Sequence, residues 1–203
     1  DVFRKTPIHD WHEKNNAKFE NVGHWKRAWY YPIDNESMHQ AVQRESKAAR
    51  ESVGMLDAST LGKIDIQGTD ASEFLNRVYT NAWSKLAVGR CRYGLMLNED
   101  GLVYDDGVTT RLSDNHYIMT TTTGGAANVM GKLEDYLQTE WPELDVYLTS
   151  VTDHYATISV CGPESKKIIS TVIPDLDLSD ENFPHMSFRN AKIGKINCRV
   201  MRL

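Results

Sequence analysis

The stretch that decides the fold reads Cys91-Arg-Tyr-Gly-Leu-Met-Leu-Asn-Glu-Asp-Gly-Leu-Val-Tyr-Asp-Asp-Gly-Val-Thr-Thr110. Its centre, Asn98 to Gly101, is a strong turn signal, because Asn, Asp and Gly accept the backbone angles that a tight loop needs. The stretch therefore predicts a β-hairpin whose return strand carries the carboxylate pair Asp105 and Asp106.

The loop fixes which side chains of this hairpin share a face. A two-residue loop and a four-residue loop centred on this turn give the same register, and side chains alternate between the two faces along each strand. The facing pairs are then Leu97 with Leu102, Leu95 with Tyr104, and Tyr93 with Asp106. The residues that share one face are Tyr93, Leu95, Tyr104, Asp106 and Val108. Asp105 points to the opposite face.

A carboxylate on that largely apolar and aromatic face is costly unless it has a partner. One interpretation of Asp106 is a structural residue that its neighbours satisfy. The residues alone favour it, because buried polar groups usually have such partners. The other interpretation is a ligand-binding group, since a carboxylate among tyrosines hydrogen-bonds a planar nitrogen heterocycle or steers a proton.

The composition is that of an ordinary globular protein, with 203 residues, 40% of them hydrophobic and 25% charged. This length suits one large domain or two small ones. The formal net charge of −5 gives no support for nucleic-acid binding. No apolar run approaches the roughly 20 residues of a membrane span, and no secretory signal is present. Three widely spaced cysteines without a paired motif predict buried thiols in the reducing cytoplasm.

Both ends of the chain predict a fragment or a processed polypeptide. The chain opens at Asp1 without an initiator Met, and it stops at Leu203 inside an alternating run that looks like a strand without its turn. Residues outside the chain are then expected to complete any site found in it.

Apolar periodicity and turn residues predict short helices interspersed with strands. A capping box at Ser37–Gln40 opens a helix that should run to about Val53, with Gly54 as its C-cap. Residues 1–34 show little periodicity and predict an ordered irregular segment. The other predicted helices are Thr69–Val78, a helix after Gly125 that runs to about Thr139, and Pro163–Val172. The other predicted strands are Lys63–Gln67, His116–Thr121, Val146–Thr149, Ala156–Cys161, Ser187–Lys192 and Ile196–Leu203.

Two segments of the chain are similar to each other. Ile64–Val78 matches Ile158–Val172 at a constant offset, and both read as a strand, a Gly and then a helix. Two related α+β halves would explain the match. Chance is the alternative, because strand–Gly–helix units are common.

Two further motifs have plain structural interpretations. His9 and His12 have a spacing that binds a metal when it is helical. Pro7 instead favours irregular structure, in which the two side chains tie the terminal segment to the body of the protein. Thr120–Gly125 reads as a strand end, a Gly-rich bend and a helix N-terminus, a place that binds anions through free N–H groups. Its spacing fits neither a P-loop nor a dinucleotide fingerprint, so an ordinary β–α connection is favoured.

Several segments resemble the folate-binding aminomethyltransferase family, whose founding member is the T-protein of the glycine cleavage system. These segments are Ser52-Val-Gly-Met-Leu-Asp-Ala-Ser-Thr-Leu-Gly62, Leu97-Asn-Glu-Asp-Gly101, Asp105-Asp106 and Gly162-Pro163. A branch of the family, the carboxy-terminal part of heterotetrameric sarcosine oxidase α subunits, is similar also in Asn81–Leu86, Cys91–Met96, Thr120–Gly125 and Glu134–Pro142. The resemblance implies an α+β fold of antiparallel sheets with flanking helices, truncated at the C-terminus. It also implies one folate-binding domain over residues 1–203, with a subdomain division left open.

The resemblance implies the site residues as well. The family binds tetrahydrofolate in a cavity between α+β subdomains, and its key carboxylate, the second of an Asp-Asp pair, falls on Asp106, the expected catalytic residue. A folate-site tyrosine falls on Tyr93, which agrees with the hairpin register. The other positions expected to line the folate site are Leu61, Val108, Thr110 and Thr121. A tyrosine usual in T-proteins near Thr110 is missing, so folate contacts there should differ.

The parent reaction implied by the resemblance joins two chemistries. A flavin in a partner subunit oxidises sarcosine to an imine, and this domain transfers the one-carbon unit to tetrahydrofolate. The implied partners are the other subunits of a heterotetramer, with NAD confined to a part of the α subunit outside this chain. The alternatives are a T-protein-like aminomethyltransferase, a dimethylglycine-oxidising relative, and an inactive folate-fold module for subunit assembly. Family folate-site residues expected beyond Leu203 would leave this chain alone with weak folate binding or none.

Overall fold

The computed structural model describes residues 3–203, which form mainly antiparallel sheets and short helices. This architecture confirms the predicted α+β class. The chain divides into two compact units. The first unit comprises the described residues up to Thr60 together with Asp153–Pro174, and the second comprises Leu61–Thr152 and Asp175–Leu203.

Residues 3–203 contain the α-helices α1 (His9–Lys14), α2 (Met38–Glu51), α3 (Ala71–Val78), α4 (Ala126–Asp135) and α5 (Ser165–Val172). The strands in the same range are β1 (Arg4–Lys5), β2 (Lys18–Val22), β3 (Trp25–Tyr30), β4 (Gly54–Asp57), β5 (Gly62–Gln67), β6 (Cys91–Leu97), β7 (Val103–Ser113), β8 (His116–Thr121), β9 (Tyr147–Ser150), β10 (Ile158–Cys161), β11 (Ser187–Ile193) and β12 (Ile196–Arg202). A π-helical turn at Tyr136–Glu140 extends α4.

Most predicted elements are present, with ends displaced by a few residues. The capping box is confirmed: Ser37 Oγ accepts a hydrogen bond from the Gln40 N–H, and the Gln40 side chain accepts one from the Ser37 N–H. The prediction that Gly54 caps this helix is wrong, because α2 ends at Glu51 and Gly54 begins β4. A Cβ on Gly54 would lie 2.9 Å from Ala49 Cβ, so this glycine serves the close approach of β4 to α2.

The prediction of an irregular segment over residues 1–34 is wrong for its described part. Residues 3–34 contain α1 and a three-stranded sheet in the order β1–β3–β2. The turn between β2 and β3 has Gly23 at a φ of +57°. A register shift after Lys18 interrupts the alternation of β2, and α1 is too short to show a helical period.

The second unit is built on a five-stranded antiparallel sheet in the order β6–β7–β8–β5–β9. One face of this sheet packs against α3 and α4. The fully buried side chains of this core are Ile64, Ile66, Ala71, Phe74, Leu75, Trp83, Met96, Tyr117, Met119, Val129 and Leu133. Each large apolar side chain that leaves water contributes about 1.5–3 kcal/mol to folding, so this cluster supplies much of the stability of the unit.

The strands β11 and β12 form a separate two-stranded sheet in the second unit. An isolated bridge between Arg90 and Ser187 attaches this hairpin beside β6. Met201 Sδ of β12 lies 3.9 Å from the Thr110 hydroxyl of β7. The terminal hairpin therefore covers one end of the sheet face that the helices leave open.

All three cysteines are unpaired thiols. Cys91 is buried, Cys198 is half-buried and Cys161 is exposed, so the prediction of three buried thiols is confirmed only at Cys91. Cys161 lies at the end of β10, where its thiol contacts the Gly54 carbonyl.

Across residues 3–203, no helix is both long and apolar enough to cross a membrane.

Candidate functional site

The predicted hairpin is formed by β6 and β7, and Asn98 holds its turn. The Asn98 N–H donates to the Leu102 carbonyl at 2.9 Å. The Asn98 side-chain oxygen accepts hydrogen bonds from the N–H groups of Asp100 and Leu102. Gly101 has a φ of +78°, a left-handed conformation that glycine adopts without a steric penalty. The turn therefore spans Glu99 to Gly101, one residue off either predicted loop length.

A β-bulge at Tyr104 shifts the register once more. The pairs on either side of the bulge are Leu97 with Val103 and Met96 with Asp105. Tyr93 consequently lies opposite Val108, and the prediction that it lies directly opposite Asp106 is wrong. The predicted faces survive for these residues, because the two shifts add to an even number of residues and side chains alternate with a period of two.

Tyr93 and Asp106 are diagonal neighbours on the face that the helices leave open. The Tyr93 hydroxyl donates a hydrogen bond to Asp106 Oδ2 at 2.7 Å. This bond to a carboxylate raises the pKa of Tyr93, since ionisation would remove the donor and place two negative charges side by side. Tyr93 is exposed and Asp106 is half-buried. Among the described residues only Tyr93 hydrogen-bonds this carboxylate, so Asp106 Oδ1 keeps its acceptor capacity.

Asp105 points to the helix-covered face, as predicted. It is buried, and its two carboxylate oxygens accept the Thr122 N–H at 3.2 and 3.3 Å, at the approach to α4. Burial raises the pKa of Tyr79 on the same side, and the charges of Asp105 and Asp106 raise it further. The Asp-Asp pair therefore divides into a buried structural carboxylate and a solvent-facing one.

Val108 and Thr110 continue the Asp106 face, but they are not equally accessible. Val108 is half-buried, and its N–H donates to Thr120 Oγ1 at 2.9 Å. Thr110 is completely buried, and its hydroxyl lies against Met201 of the terminal hairpin. Of these two predicted lining residues, only Val108 reaches the open part of the face.

Thr121 and Tyr104 lie away from Asp106. Thr121 is buried on the helix-covered face, where its hydroxyl donates to the Thr122 carbonyl at 3.0 Å. The predicted placement of Tyr104 beside Asp106 is wrong, because Tyr104 is the extra residue of the bulge. Its ring centroid lies 5.0 Å from Lys132 Nζ of α4.

Leu61 begins the second unit just before β5, and its carbonyl accepts a hydrogen bond from Lys63 Nζ at 2.9 Å. Lys63 is buried and pairs with Thr120, which is in turn hydrogen-bonded to Val108. On the Asp106 face, a row of side chains therefore crosses the four strands β6, β7, β8 and β5: Tyr93, Val108, Thr120 and Lys63.

The sequence prediction missed Thr120 and Lys63. The alternation of Lys63–Gln67 could have indicated Lys63, because it places the Lys63 side chain on the sheet face opposite to that of the buried Ile64.

The Thr120–Gly125 segment is an ordinary β–α connection, as favoured from its sequence. Thr122 Oγ1 accepts the Gly125 N–H at 3.1 Å, and the Thr122 N–H is taken by Asp105. These two N–H groups are therefore satisfied within the protein.

In the first unit, His12 lies between Tyr31 and Asp57. His12 Nε2 lies 2.8 Å from Asp57 Oδ2, and Nδ1 lies 2.5 Å from the Tyr31 hydroxyl. Burial, followed by the nearby carboxylates Asp57 and Glu45, raises the pKa of Tyr31 to about 12. The prediction that these side chains tie the terminal segment to the body is confirmed for His12, although on a helix rather than in irregular structure. It is wrong for His9, whose Nε2 bonds Glu13 within the same helix. Within residues 3–203 no set of three or more His, Cys, Asp or Glu side chains is placed to hold a metal ion.

The sequence profile of the GCVT N-terminal domain matches residues 8–203. The chain belongs to this family. It is similar to the sarcosine oxidase subunit alpha of Corynebacterium sp. (strain P-1), with 55% identity over 204 residues that cover 100% of this chain and 21% of that protein. The aminomethyltransferase of Staphylococcus haemolyticus (strain JCSC1435) is 30% identical over 87% of this chain and 45% of its own length.

The fold is that of a solved family structure. The crystal structure of glycine cleavage system aminomethyltransferase T from Bartonella henselae superposes with a TM-score of 0.79 at 23% identity, over 94% of this chain and 48% of that one. The predicted T-protein-like fold is therefore confirmed. The chain spans about a fifth of the length of the sarcosine oxidase subunits that it matches.

Proposed function

We propose that this chain is the tetrahydrofolate-binding part of a sarcosine oxidase α subunit. There it captures the one-carbon unit of oxidised sarcosine as 5,10-methylenetetrahydrofolate. The observation that carries this proposal is the 55% identity to a sarcosine oxidase α subunit over the whole chain. Membership of the GCVT family and the solvent-facing Tyr93–Asp106 pair support it.

The Tyr93–Asp106 pair has the chemistry that a reduced pterin requires. A pterin presents N–H groups along one edge of a flat ring, and a carboxylate accepts such donors with strong, directional hydrogen bonds. The Tyr93 hydroxyl uses one acceptor site on Oδ2 and thereby restrains the orientation of the Asp106 side chain. Val108 and the Tyr93 ring add apolar surface next to it.

The remaining predicted lining residues take part in different ways under this proposal. Leu61 contacts the ligand from the start of β5, where Lys63 holds its carbonyl. Thr110 acts from below the surface by supporting the strand that carries Asp106. Thr121 acts at most through the backbone of β8, because its side chain lies on the opposite face.

The domain has two physical tasks in this reaction. It holds the folate amine and the imine in attack geometry, and orientation of this kind lowers a barrier by about 7–11 kcal/mol at best. It also keeps water from hydrolysing the imine to formaldehyde. Asp106 either orients the pterin and stabilises positive charge on the imine, or relays its proton.

The proposal includes the setting of the reaction. The flavin that oxidises sarcosine belongs to partner subunits of a heterotetramer, and NAD belongs to a part of the α subunit outside this chain. The unpaired cysteines are in keeping with a cytoplasmic protein.

A second candidate is a T-protein-like aminomethyltransferase, which the 30% identity to the Staphylococcus haemolyticus enzyme favours. In that reaction an aminomethyl-lipoyl protein supplies the one-carbon unit and ammonia is released. The donor of the one-carbon unit therefore distinguishes the two functions.

The test uses the full-length gene product with its co-purifying subunits. Sarcosine is oxidised with and without tetrahydrofolate, and formaldehyde and 5,10-methylenetetrahydrofolate are both quantified. We expect tetrahydrofolate to divert most of the product from formaldehyde to the folate adduct. Unchanged formaldehyde together with no tetrahydrofolate binding by calorimetry would reject a folate role. Ammonia release from an aminomethyl-lipoyl protein, without sarcosine oxidation, would instead support the second candidate.

A further inference from the structure

The pairing between β7 and β8 stops just before it reaches Asp106. The last paired residues of the two strands are Thr109 and Met119. In a regular antiparallel ladder, Val108 and Thr120 would form the next pair and exchange two main-chain hydrogen bonds. Within residues 3–203, no β8 residue is paired with Asp106. Other contacts must therefore hold β7 in place where it carries this carboxylate.

The Thr120 hydroxyl takes the place of the missing main-chain pair. Thr120 Oγ1 accepts a hydrogen bond from the Val108 N–H at 2.9 Å, and it donates to the Val108 carbonyl oxygen at 3.3 Å. A hydroxyl has one donor and two acceptor positions, so this one side chain serves both main-chain groups of Val108. A valine at position 120 would remove both hydrogen bonds.

The close approach of the two strands at Gly107 explains this substitution. A Cβ on Gly107 would lie 1.9 Å from the Thr120 carbonyl oxygen and 3.1 Å from Thr120 Oγ1. The Thr120 carbonyl therefore lies against the Cα of Gly107, and the Val108 N–H bonds the hydroxyl instead. Gly107, the residue after Asp106, makes room for this arrangement because it has no side chain.

Asp106 lies between two contacts that join a side chain to main chain. On its N-terminal side, the buried Asp105 carboxylate accepts the Thr122 N–H. On its C-terminal side, the Thr120 hydroxyl holds Val108. The two contacts lie on opposite faces of the sheet, and each connects β7 to β8 or to the residue that follows β8. The main chain on both sides of Asp106 is thus anchored through side chains.

We propose that Thr120 is a positioning residue, whose hydroxyl holds β7 where the Asp106 carboxylate meets the Tyr93 hydroxyl. The proposal rests on the folate role proposed for Asp106. Without the hydroxyl, β7 is released from β8 at Val108, and the Asp106 carboxylate shifts relative to Tyr93. A misplacement of about 1 Å can reduce catalysis about 100-fold. Thr120 acts through the main chain of β7 and needs no contact with folate.

The variants that test this are Thr120→Val, which removes the hydroxyl, and Thr120→Ser, which keeps it. Thr139→Val is the matched control, because the exposed Thr139 hydroxyl also donates to a main-chain carbonyl, that of Asp135 at 2.8 Å. All three are made in the full-length gene product with its co-purifying subunits.

The first measurement is the titration of Tyr93 without folate, with Tyr93→Phe used to assign the signal. We expect Thr120→Val to move this titration toward the ordinary pKa of 10.0, because the displaced Asp106 carboxylate no longer accepts the phenol hydrogen bond. Thr120→Ser and Thr139→Val should titrate like the wild type. A wild-type Tyr93 titration in Thr120→Val would overturn the proposal.

The second measurement compares one-carbon capture with amine oxidation. We expect Thr120→Val to lower kcat/KM for tetrahydrofolate about 10- to 100-fold while sarcosine oxidation stays unchanged, and we expect Thr120→Ser to restore capture. Equal losses of capture in the two variants would overturn the proposal, because the hydroxyl would then not be the group that matters. A parallel loss of oxidation in Thr120→Val would also overturn it, because it would indicate general damage to the fold.

Amide hydrogen exchange in the wild type decides the question if Thr120→Val does not fold. We expect the Val108 amide to exchange at least about 100-fold more slowly than the same amide in an unstructured peptide. Exchange at the rate of the unstructured peptide would overturn the proposal. Failure of the proposed function has a different signature. If Asp106→Asn leaves folate capture intact, the folate role is rejected, while the Tyr93 titration of Thr120→Val still tests how Asp106 is positioned.

Discussion

The Tyr93 hydroxyl and the Asp106 carboxylate meet diagonally across two antiparallel strands, with 2.7 Å between the phenol oxygen and Oδ2. The hydrogen bond joins an exposed side chain to a half-buried one, and it leaves the second carboxylate oxygen free of protein donors among the described residues. The hydrogen bond holds the Asp106 carboxylate on the open sheet face and leaves Oδ1 able to accept a further hydrogen bond. A carboxylate in this state can accept a further hydrogen bond from a ligand or from water.

We expect Asp106→Asn to impair folate-dependent one-carbon capture while sparing amine oxidation in the full-length enzyme. The amide keeps the size of the side chain but loses the charge and one of the two acceptor oxygens. Loss of a hydrogen bond to a charged group costs about 1.5–3 kcal/mol, which corresponds to a roughly 10- to 150-fold weaker interaction with folate. Asp100→Asn, on the exposed hairpin turn, is the matched control. Equal losses of capture and oxidation would contradict a local folate role.

The titration of Tyr93 tests the geometry without any ligand. Because the hydrogen bond to Asp106 raises its pKa, Tyr93 should ionise above the ordinary value of 10.0. The raised pKa favours the folded protein below pH 10, and this contribution is lost as the pH rises through the folded value. In Asp106→Asn the Tyr93 titration should move back toward pH 10. The measurement is a tyrosinate absorbance or NMR titration, with Tyr93→Phe used to assign the signal. An unchanged Tyr93 titration in the variant would mean that the two side chains do not interact in solution.

The sequence predicted the face of Asp106 correctly although it predicted the wrong register. The loop has three residues instead of two or four, which by itself would have turned every side chain of β7 to the other face. The bulge at Tyr104 adds a second one-residue shift and restores the alternation. The prediction fails at and before the bulge, because Tyr104 leaves its predicted face and Leu97 pairs with Val103 instead of Leu102. Turn residues indicate that a hairpin is present, but not the loop length or a bulge, which depend on packing such as that of Tyr104 against Lys132.

The first unit shows where sequence periodicity fails. Helix α1 has less than two turns, and β1 has two residues, so neither is long enough to display a period. Their stability comes from contacts distant in sequence, such as the bond from His12 to Asp57. Conversely, β8 was predicted to the residue, because turn residues bound it on both sides, Asp114-Asn115 before it and Gly124-Gly125 after it. The sequence did not predict that Lys63 is buried. A lysine in an alternating strand normally lies on the solvent side.

The contact between His12 and Asp57 predicts a pH-dependent stability. Burial alone would raise the pKa of Asp57, but hydrogen bonds from Ser59 and His12 counteract it, and the pKa lies below its ordinary value of 3.8. The ionised carboxylate therefore stabilises the fold above about pH 4, and this contribution is lost as the pH falls through the lower folded value. At pH 7 we expect Asp57→Asn to lower the free energy of unfolding by about 1–3 kcal/mol.

Chemical denaturation of wild type and Asp57→Asn between pH 3 and 7 measures this difference, which should narrow toward the acidic end. Asp153→Asn is the control, because Asp153 pairs with Arg4 at an exposed position and such pairs contribute at most about 1 kcal/mol. A difference that stays constant down to pH 3 would show that the Asp57 charge is not what stabilises the contact.

Two glycines with opposite roles provide the last prediction. Gly68 has a φ of +135°, and a Cβ there would lie 1.9 Å from the Asp145 carbonyl oxygen. Gly131 lies inside α4 on the exposed side, and a Cβ there meets no atom within 4 Å. Gly68→Ala should therefore cost at least about 2 kcal/mol through backbone strain and overlap. Gly131→Ala should stabilise the protein by about 0.5–1 kcal/mol, because alanine is the better helix former. Thermal midpoints that move in opposite directions would confirm both assignments. A tolerated Gly68→Ala would mean that the chain between β5 and α3 relaxes, so that the positive φ is not required for the strand-to-helix turn.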